Sequence, residues 1–206
     1  MISGTFFYQS TNQLLLTNQL SSYQSTNQLL PYFRFLKLET NLAILAQEEL
    51  EKEEENFCFK DALSNSNSIE IDNIVHALNA EITPAIDCTA CGNCCRSLMI
   101  NVTQPEVENL SAYLSITEDE LKETYIETSL QGSMIVNTIP CHFLKGTMCS
   151  IYEHRFAECR EFPGLHKTGF TERLFATFMH YGRCPIVYNV IEQLKIKTGF
   201  IKIAQT

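Results

Sequence analysis

The octet Cys88-Thr-Ala-Cys91-Gly-Asn-Cys94-Cys95 places four thiols in eight residues, a density that an ordinary core segment does not need. Two residues separate Cys88 from Cys91 and Cys91 from Cys94, so one tight turn can converge their sulfurs on a single centre. Gly92 supplies the backbone freedom that such a turn uses. Thiolates are soft donors, and this spacing suits zinc or iron, the latter also in the form of an iron–sulfur cluster. Cys95 follows Cys94 directly and is expected to point elsewhere, toward a second site.

Four further cysteines, Cys141, Cys149, Cys159 and Cys184, are separated by 7, 9 and 24 residues. That is too irregular for paired zinc knuckles, and it predicts single ligands delivered by separate elements. The candidate ligand set is therefore Cys88, Cys91, Cys94, Cys95, Cys141, Cys149, Cys159 and Cys184, with Cys58 standing apart. Four thiolates around a divalent ion leave about two negative charges. Arg96, Arg155 and Arg160, each within a few residues of a cysteine, are positioned in sequence to offset them. An open catalytic zinc usually adds histidine or carboxylate to its ligands. His142, His154, His166 and His180 are available for that, although such histidines are more often ordinary polar residues.

The order Cys88-x-x-Cys91-Gly92-x-Cys94-Cys95, then Pro140-Cys141-x-Phe143-Leu144, Cys149-Ser150-Ile151-Tyr152-Glu153-x-Arg155 and Cys159-Arg160-x-Phe162-Pro163 resembles the YkgJ-like cysteine-cluster family. The resemblance covers about residues 85–190 and implies a zinc- or iron-chelating domain. Phe156 stands where that family usually has proline, a change in a turn that leaves every candidate ligand in place. A similar cluster occurs in flagellin lysine-N-methylases, so the resemblance also implies that such a domain can sit in an enzyme. No glycine-rich nucleotide loop, Gly-x-Ser-x-Gly elbow or His-Glu-x-x-His helix accompanies it here. Two readings follow: a metal-binding protein with a storage, delivery or structural role, and, as the alternative, an iron–sulfur or metal-dependent enzyme of redox or methyl-transfer chemistry.

A formal net charge of −9 and a pI near 5.0 argue against a general phosphate-binding surface, because nonspecific nucleic-acid binding rests on Lys and Arg. A metal ion is the partner expected, with neither nucleic acid nor membrane, and a protein partner is left open. Apolar runs such as Leu14 to Leu16 are too short for a membrane span or a signal-peptide core. The chain reads as cytoplasmic, where nine cysteines remain thiols or metal thiolates.

The elements that must carry these ligands divide the sequence into three. Residues 1–33 contain no Asp, Glu, Lys or Arg and repeat the octet Tyr-Gln-Ser-Thr-Asn-Gln-Leu-Leu at 8–15 and 23–30, which predicts a low-complexity disordered tail. Residues 34–68 read as an acidic helical extension and linker ending in Ser-Asn-Ser-Asn-Ser. Residues 69–206 read as the cysteine-cluster domain, a small metal-stabilised α+β fold of short helices and a few short strands.

Within that domain a helix is expected over 70–80, and alternation of Leu98, Ile100 and Val102 predicts a strand leaving the cluster. Thr103 with Pro105 and Thr117 with Glu120 mark two helix starts. These two helices are assigned to scaffolding across the 45 residues between Cys95 and Cys141. Short strands are expected at 134–139 and 149–152 around Lys145-Gly146-Thr147, another over 173–181, and a closing amphipathic helix along Val187, Val190, Ile191 and Leu194.

Overall fold

A computed structural model describes residues 37–200 of the chain; the low-complexity reading of residues 1–33 lies outside them. The element order is α1 (Leu42–Glu51), α2 (Glu53–Ser64), α3 (Ser68–Ile82), a 3-10 turn (Thr83–Ala85), α4 (Cys88–Cys91), α5 (Cys94–Ser97), β1 (Asn101–Val102), α6 (Gln104–Leu114), α7 (Glu118–Tyr125), β2 (Ile126–Thr128), β3 (Met134–Val136), β4 (Leu144–Lys145), β5 (Met148–Cys149), a 3-10 turn (Tyr152–His154), α8 (Ala157–Glu161), a 3-10 turn (Phe170–Glu172), α9 (Leu174–Phe178) and α10 (Pro185–Lys197). The fold is α+β, as expected. No helix among the described residues is long and apolar enough to cross a membrane.

The described residues divide into two compact units, one formed by residues 37–82 with 166–200 and the other by Thr83–Leu165. In the first unit α10 is buried nearly all round, from Pro185 through Ile191 and again at Leu194 and Lys195. It is therefore a central helix rather than the amphipathic closing helix expected. Proline at its first turn lacks only an N–H that the helix would leave unbonded.

Residues 42–64 belong to this core: Leu45, Phe59 and Leu63 are buried. The Ser/Asn stretch is a short connection in which Ser66 Oγ donates to Ala62 O at 2.8 Å and Asn67 Oδ1 accepts from Ile69 N at 3.0 Å. Lys195, fully buried, places Nζ 2.6 Å from Glu55 and 2.7 Å from Glu192, and Tyr181 donates to Glu192 at 2.8 Å. Asp72 on α3 accepts from Gly169 N and Phe170 N at 2.8 Å each.

Residues 173–181 form α9 and turns, where a strand was expected. Leu174, Thr177 and Phe178 are buried while Phe175 and Met179 are exposed, a helical stripe at i, i+3 and i+4. In a run this rich in aromatic and apolar residues, alternation and helical spacing are both satisfied, and burial selects the helix.

In the second unit, β1, β3 and β2 lie side by side as an antiparallel sheet, with Val102 opposite Met134 and Ile126 opposite Val136. The strand from Leu98 is cut to two residues, and 134–139 pairs at 134–136 with β1 and β2. The Lys145–Thr147 turn instead closes the separate β4–β5 hairpin, in which Leu144 faces Cys149. Val107, Leu110, Leu121, Val136, Phe143 and Phe156 are among the residues of a core packed between this sheet and α6 and α7.

Candidate metal centre

The cysteine octet folds as two one-turn helices, α4 and α5, joined by Gly92 and Asn93. Asp87 caps the first: its Oδ1 accepts from Thr89 N at 2.8 Å, from Thr89 Oγ1 at 2.6 Å and from Ala90 N at 3.4 Å. These donors hold the Asp87 carboxyl below its usual range, the Thr89 hydroxyl first among them. Gly92 ends α4 at φ +59°, donating to Cys88 O at 3.0 Å, and turns the chain back so that Cys94 starts the next turn. A Cβ added at Gly92 would lie 2.5 Å from Thr147 O and 3.0 Å from Thr147 Cα. The hairpin turn thus packs on the cysteine turn at a spot only glycine can occupy.

Arg96 ties the same two segments together. Its Nη1 donates to Cys91 O at 3.0 Å and its Nη2 to Gly146 O at 2.7 Å. Cys141 N donates to Cys95 O at 2.8 Å, which brings the Pro140-Cys141 segment against α5. Cys149, on β5, is carried by the hairpin that Gly92 and Arg96 hold. Cys159 sits in α8, whose start is fixed by Glu106 Oε1 accepting from Ala157 N at 2.6 Å. Glu158 of the same helix accepts from Asn101 N at 2.8 Å and Asn101 Nδ2 at 2.7 Å. Cys141, Cys149 and Cys159 are half-buried against the unit's core.

The electrostatics place seven of the eight candidate thiols in one neighbourhood. Burial, then the charges of Cys94 and Cys91, pushes the Cys88 thiol up. Burial, then Cys149 and Cys94, does the same to Cys141. Cys159 is pushed up to about 12 by burial, then by Cys141, Cys94 and Cys149. Cys94 and Cys95 have sulfurs 4.0 Å apart, within hydrogen-bonding reach of each other. Hydrogen bonding from Cys95 makes Cys94 the more acidic partner, and the same bond holds the second proton on Cys95. The expectation that Cys95 points away from Cys94 is therefore not met. Two thiolates on one tetrahedral ion stand about 3.8 Å apart at a zinc–sulfur bond of about 2.3 Å, close to this separation.

Of the three arginines, Arg155 acts on the thiols, lowering Cys88, Cys94 and Cys159 by its charge. Arg96 serves chiefly as the clamp just described, and Arg160 donates to Arg155 O. His142 Nε2 is 2.6 Å from Asn137 Oδ1 and its ring meets Tyr125 edge-on, while His154 stacks on Tyr113. His166, His180 and Cys184 belong to the first unit. Cys184 is buried at the start of α10, and Cys58 is exposed on α2.

Among the described residues, no group of three or more His, Cys, Asp or Glu side chains is closed around a point where an ion would sit. The donor chemistry still fits zinc or iron. It offers soft sulfurs, one cation acting on them, and backbone N–H groups that favour the thiolate at Cys94 and, from Phe143, at Cys141. The Asp87 cap could have been seen beside Thr89 in the sequence. The docking of residues 146–147 on Gly92 and the Glu106 bridge to α8 join segments about 50 residues apart and carry no local signal.

No curated protein and no solved structure gives a significant match to the chain. Residues 87–177 match the model of the CxxCxxCC family, described as a "Putative zinc- or iron-chelating domain".

Proposed function

We propose that the unit Thr83–Leu165 binds zinc or iron through the thiolates of Cys88, Cys91, Cys94, Cys95, Cys141, Cys149 and Cys159. The observation that carries this is the mutual electrostatic influence of seven thiols brought from α4, α5, the Pro140–Cys141 segment, β5 and α8. Alone, such a set resists full ionisation, since each thiolate raises the cost of the next; a divalent cation removes that cost and draws the protons off. When bound, the metal would supply cross-linking of these segments. The chain's own contribution is to present sulfurs on short, capped turns and to set Arg155 beside them. All nine cysteines are free thiols, and metal ligation of this kind belongs to a reducing compartment such as the cytoplasm. Cys184, beyond the matched stretch, is left out of the proposed set.

The test is anaerobic purification followed by metal analysis, acid-labile sulfide assay and a visible spectrum, repeated for Cys91→Ser and Cys141→Ser. Stoichiometric zinc in colourless protein, lost in both variants, is the result expected of a chelating or structural centre. Iron with sulfide and a visible spectrum turns the reading to an iron–sulfur centre and to the redox or methyl-transfer alternative. Protein purified without metal that also fails to take up zinc or iron(II) under anaerobic conditions would overturn the proposal.

A further inference from the structure

Beside α6 and α8 the second unit has a half-open pocket of about 390 Å³, lined by Glu106, Asn109, Ala112, Tyr113, Glu153, His154, Arg155 and Arg160. No thiol lines it, and the proposed metal function does not use it. One wall is aromatic: Tyr113, half exposed, and His154 stack with centroids 3.8 Å apart and planes 22° from parallel. A second wall is cationic. Arg155 spends one N–H on Tyr152 O at 2.8 Å and lies over the Tyr152 ring at 3.8 Å, while Arg160 spends one on Arg155 O.

Each guanidinium carries five donors, so most remain after these bonds. Of the carboxylates that line the pocket, Glu106 lies near enough to Arg160 to feel its charge. Glu106 accepts from Thr103 N and Oγ1 and from Ala157 N, and Glu153 is exposed. A volume near the lower end of small-ligand sites, with a few convergent polar groups and an aromatic face, has the features of a binding pocket.

We propose that this pocket binds a small ligand carrying a phosphate or carboxylate on a flat ring, with Arg155 and Arg160 receiving the anion and the Tyr113–His154 pair packing the ring. Guanidinium forks match the two oxygens of such groups, and Asn109 also lines the pocket. Arg155 belongs to both places: it lines the pocket and its charge acts on the thiols of Cys88, Cys94 and Cys159.

The experiment is titration calorimetry of the full chain, in its purified metal state, with phenyl phosphate and with inorganic phosphate. It is repeated for Arg160→Gln and for Tyr113→Ala, with circular dichroism as the folding check. Saturable one-to-one binding of phenyl phosphate is expected, weakened roughly tenfold or more in Arg160→Gln. Tyr113→Ala should weaken phenyl phosphate and leave inorganic phosphate unchanged. Absence of saturable binding, equal binding in folded Arg160→Gln, or binding of an acidic peptide with none of either phosphate would overturn the proposal. Metal content measured in the same samples separates its failure from failure of the metal reading. A pocket that is real beside a metal-free centre still shows the phosphate response, and a metal centre without an anion site keeps its metal while showing none.

Discussion

At Gly92 the backbone adopts a left-handed conformation and the Thr147 carbonyl fills the space a side chain would take. For an L residue the conformation costs about 1–2 kcal/mol, and the contact is with backbone, which cannot swing aside. Gly92→Ala is expected to destabilise the second unit by about 2 kcal/mol or more and to weaken metal binding. Gly132, with φ +83° and nothing within 4 Å of an added Cβ, isolates the first of these effects; Gly132→Ala should cost less and leave metal binding alone. Paired denaturation curves of the two variants decide it. The thiols give a second residue-level outcome. Cys88, Cys141 and Cys159 have raised pKa values in the folded, metal-free chain. Their contribution to stability is therefore fully present below the ordinary thiol value of 9.0 and is lost as pH climbs, for Cys159 through about 12. Cys94 runs the other way, since its lowered pKa adds stability above 9.0 that is lost as pH falls through the lowered value. Metal-free protein should accordingly lose stability from about pH 9 upward, four raised thiols, Cys95 included, outweighing one, whereas metal-loaded protein should lose its ion on acidification as ligands reprotonate. In thermal melts above pH 9, chelator-treated protein should lose stability with rising pH while metal-loaded protein holds, and equal falls in both would remove the thiols from the account. For Cys184→Ser, unchanged metal stoichiometry is expected.

The helices whose ends carry their own chemistry were the most legible elements. Thr103 and Glu106 open α6, and Thr117 and Glu120 open α7, with Glu106 and Glu120 each reaching back to the cap residue's backbone N–H at 2.8 Å. Those signals are local and survive any tertiary context. The strand expected over 173–181 failed because its pattern served two periods, and the 134–139 segment was given the wrong neighbours because strand pairing depends on chain that lies far off in sequence. At the site, the octet and the dispersed cysteines were visible as ligand candidates. That Arg96 works as a clamp between Cys91 and Gly146 was not visible, because its partners are carbonyl oxygens that every residue possesses. The two caps also support a comparison. Glu120 is exposed and its side chain bonds only to Thr117, so Glu120→Ala should lower stability only slightly. Glu106 has the same cap contact and in addition accepts from Ala157 N at the start of α8, the helix that carries Cys159. Glu106→Ala should therefore cost more than Glu120→Ala, by roughly 1–2 kcal/mol for a charge-assisted bond, and should lower metal affinity where Glu120→Ala does not. Equal losses in stability and unchanged metal affinity in both would mean that α8 is held without Glu106.

The two units differ in what supports them. Thr83–Leu165 has a two-part sheet system of two- and three-residue strands, three one-turn or slightly longer helices carrying cysteines, and thiols occupying half-buried positions where apolar side chains would otherwise sit. Isolated short strands and single helical turns are marginal without cross-links, and metal binding energy is available as folding energy when the ligands converge only in the folded chain. The other unit is held by α10 at its centre, with Val187, Val190, Ile191 and Leu194 fully buried and Lys195 satisfied by Glu55 and Glu192. Cys184 is the thiol buried in that core. Chelation should then act unequally along the chain. In hydrogen exchange with and without chelator, amides of Cys141, Leu144, Ser150 and Arg160, which are bonded within the second unit, are expected to lose protection by a large factor. Amides of Tyr188 and of the α10 interior should keep theirs. Mass-resolved peptides from both units provide the comparison in one sample. Loss of protection spread evenly over both would mean that the metal supports the whole molecule, and retention in both would mean that the cysteine-bearing turns stand on their own core and that metal is held by a fold already complete.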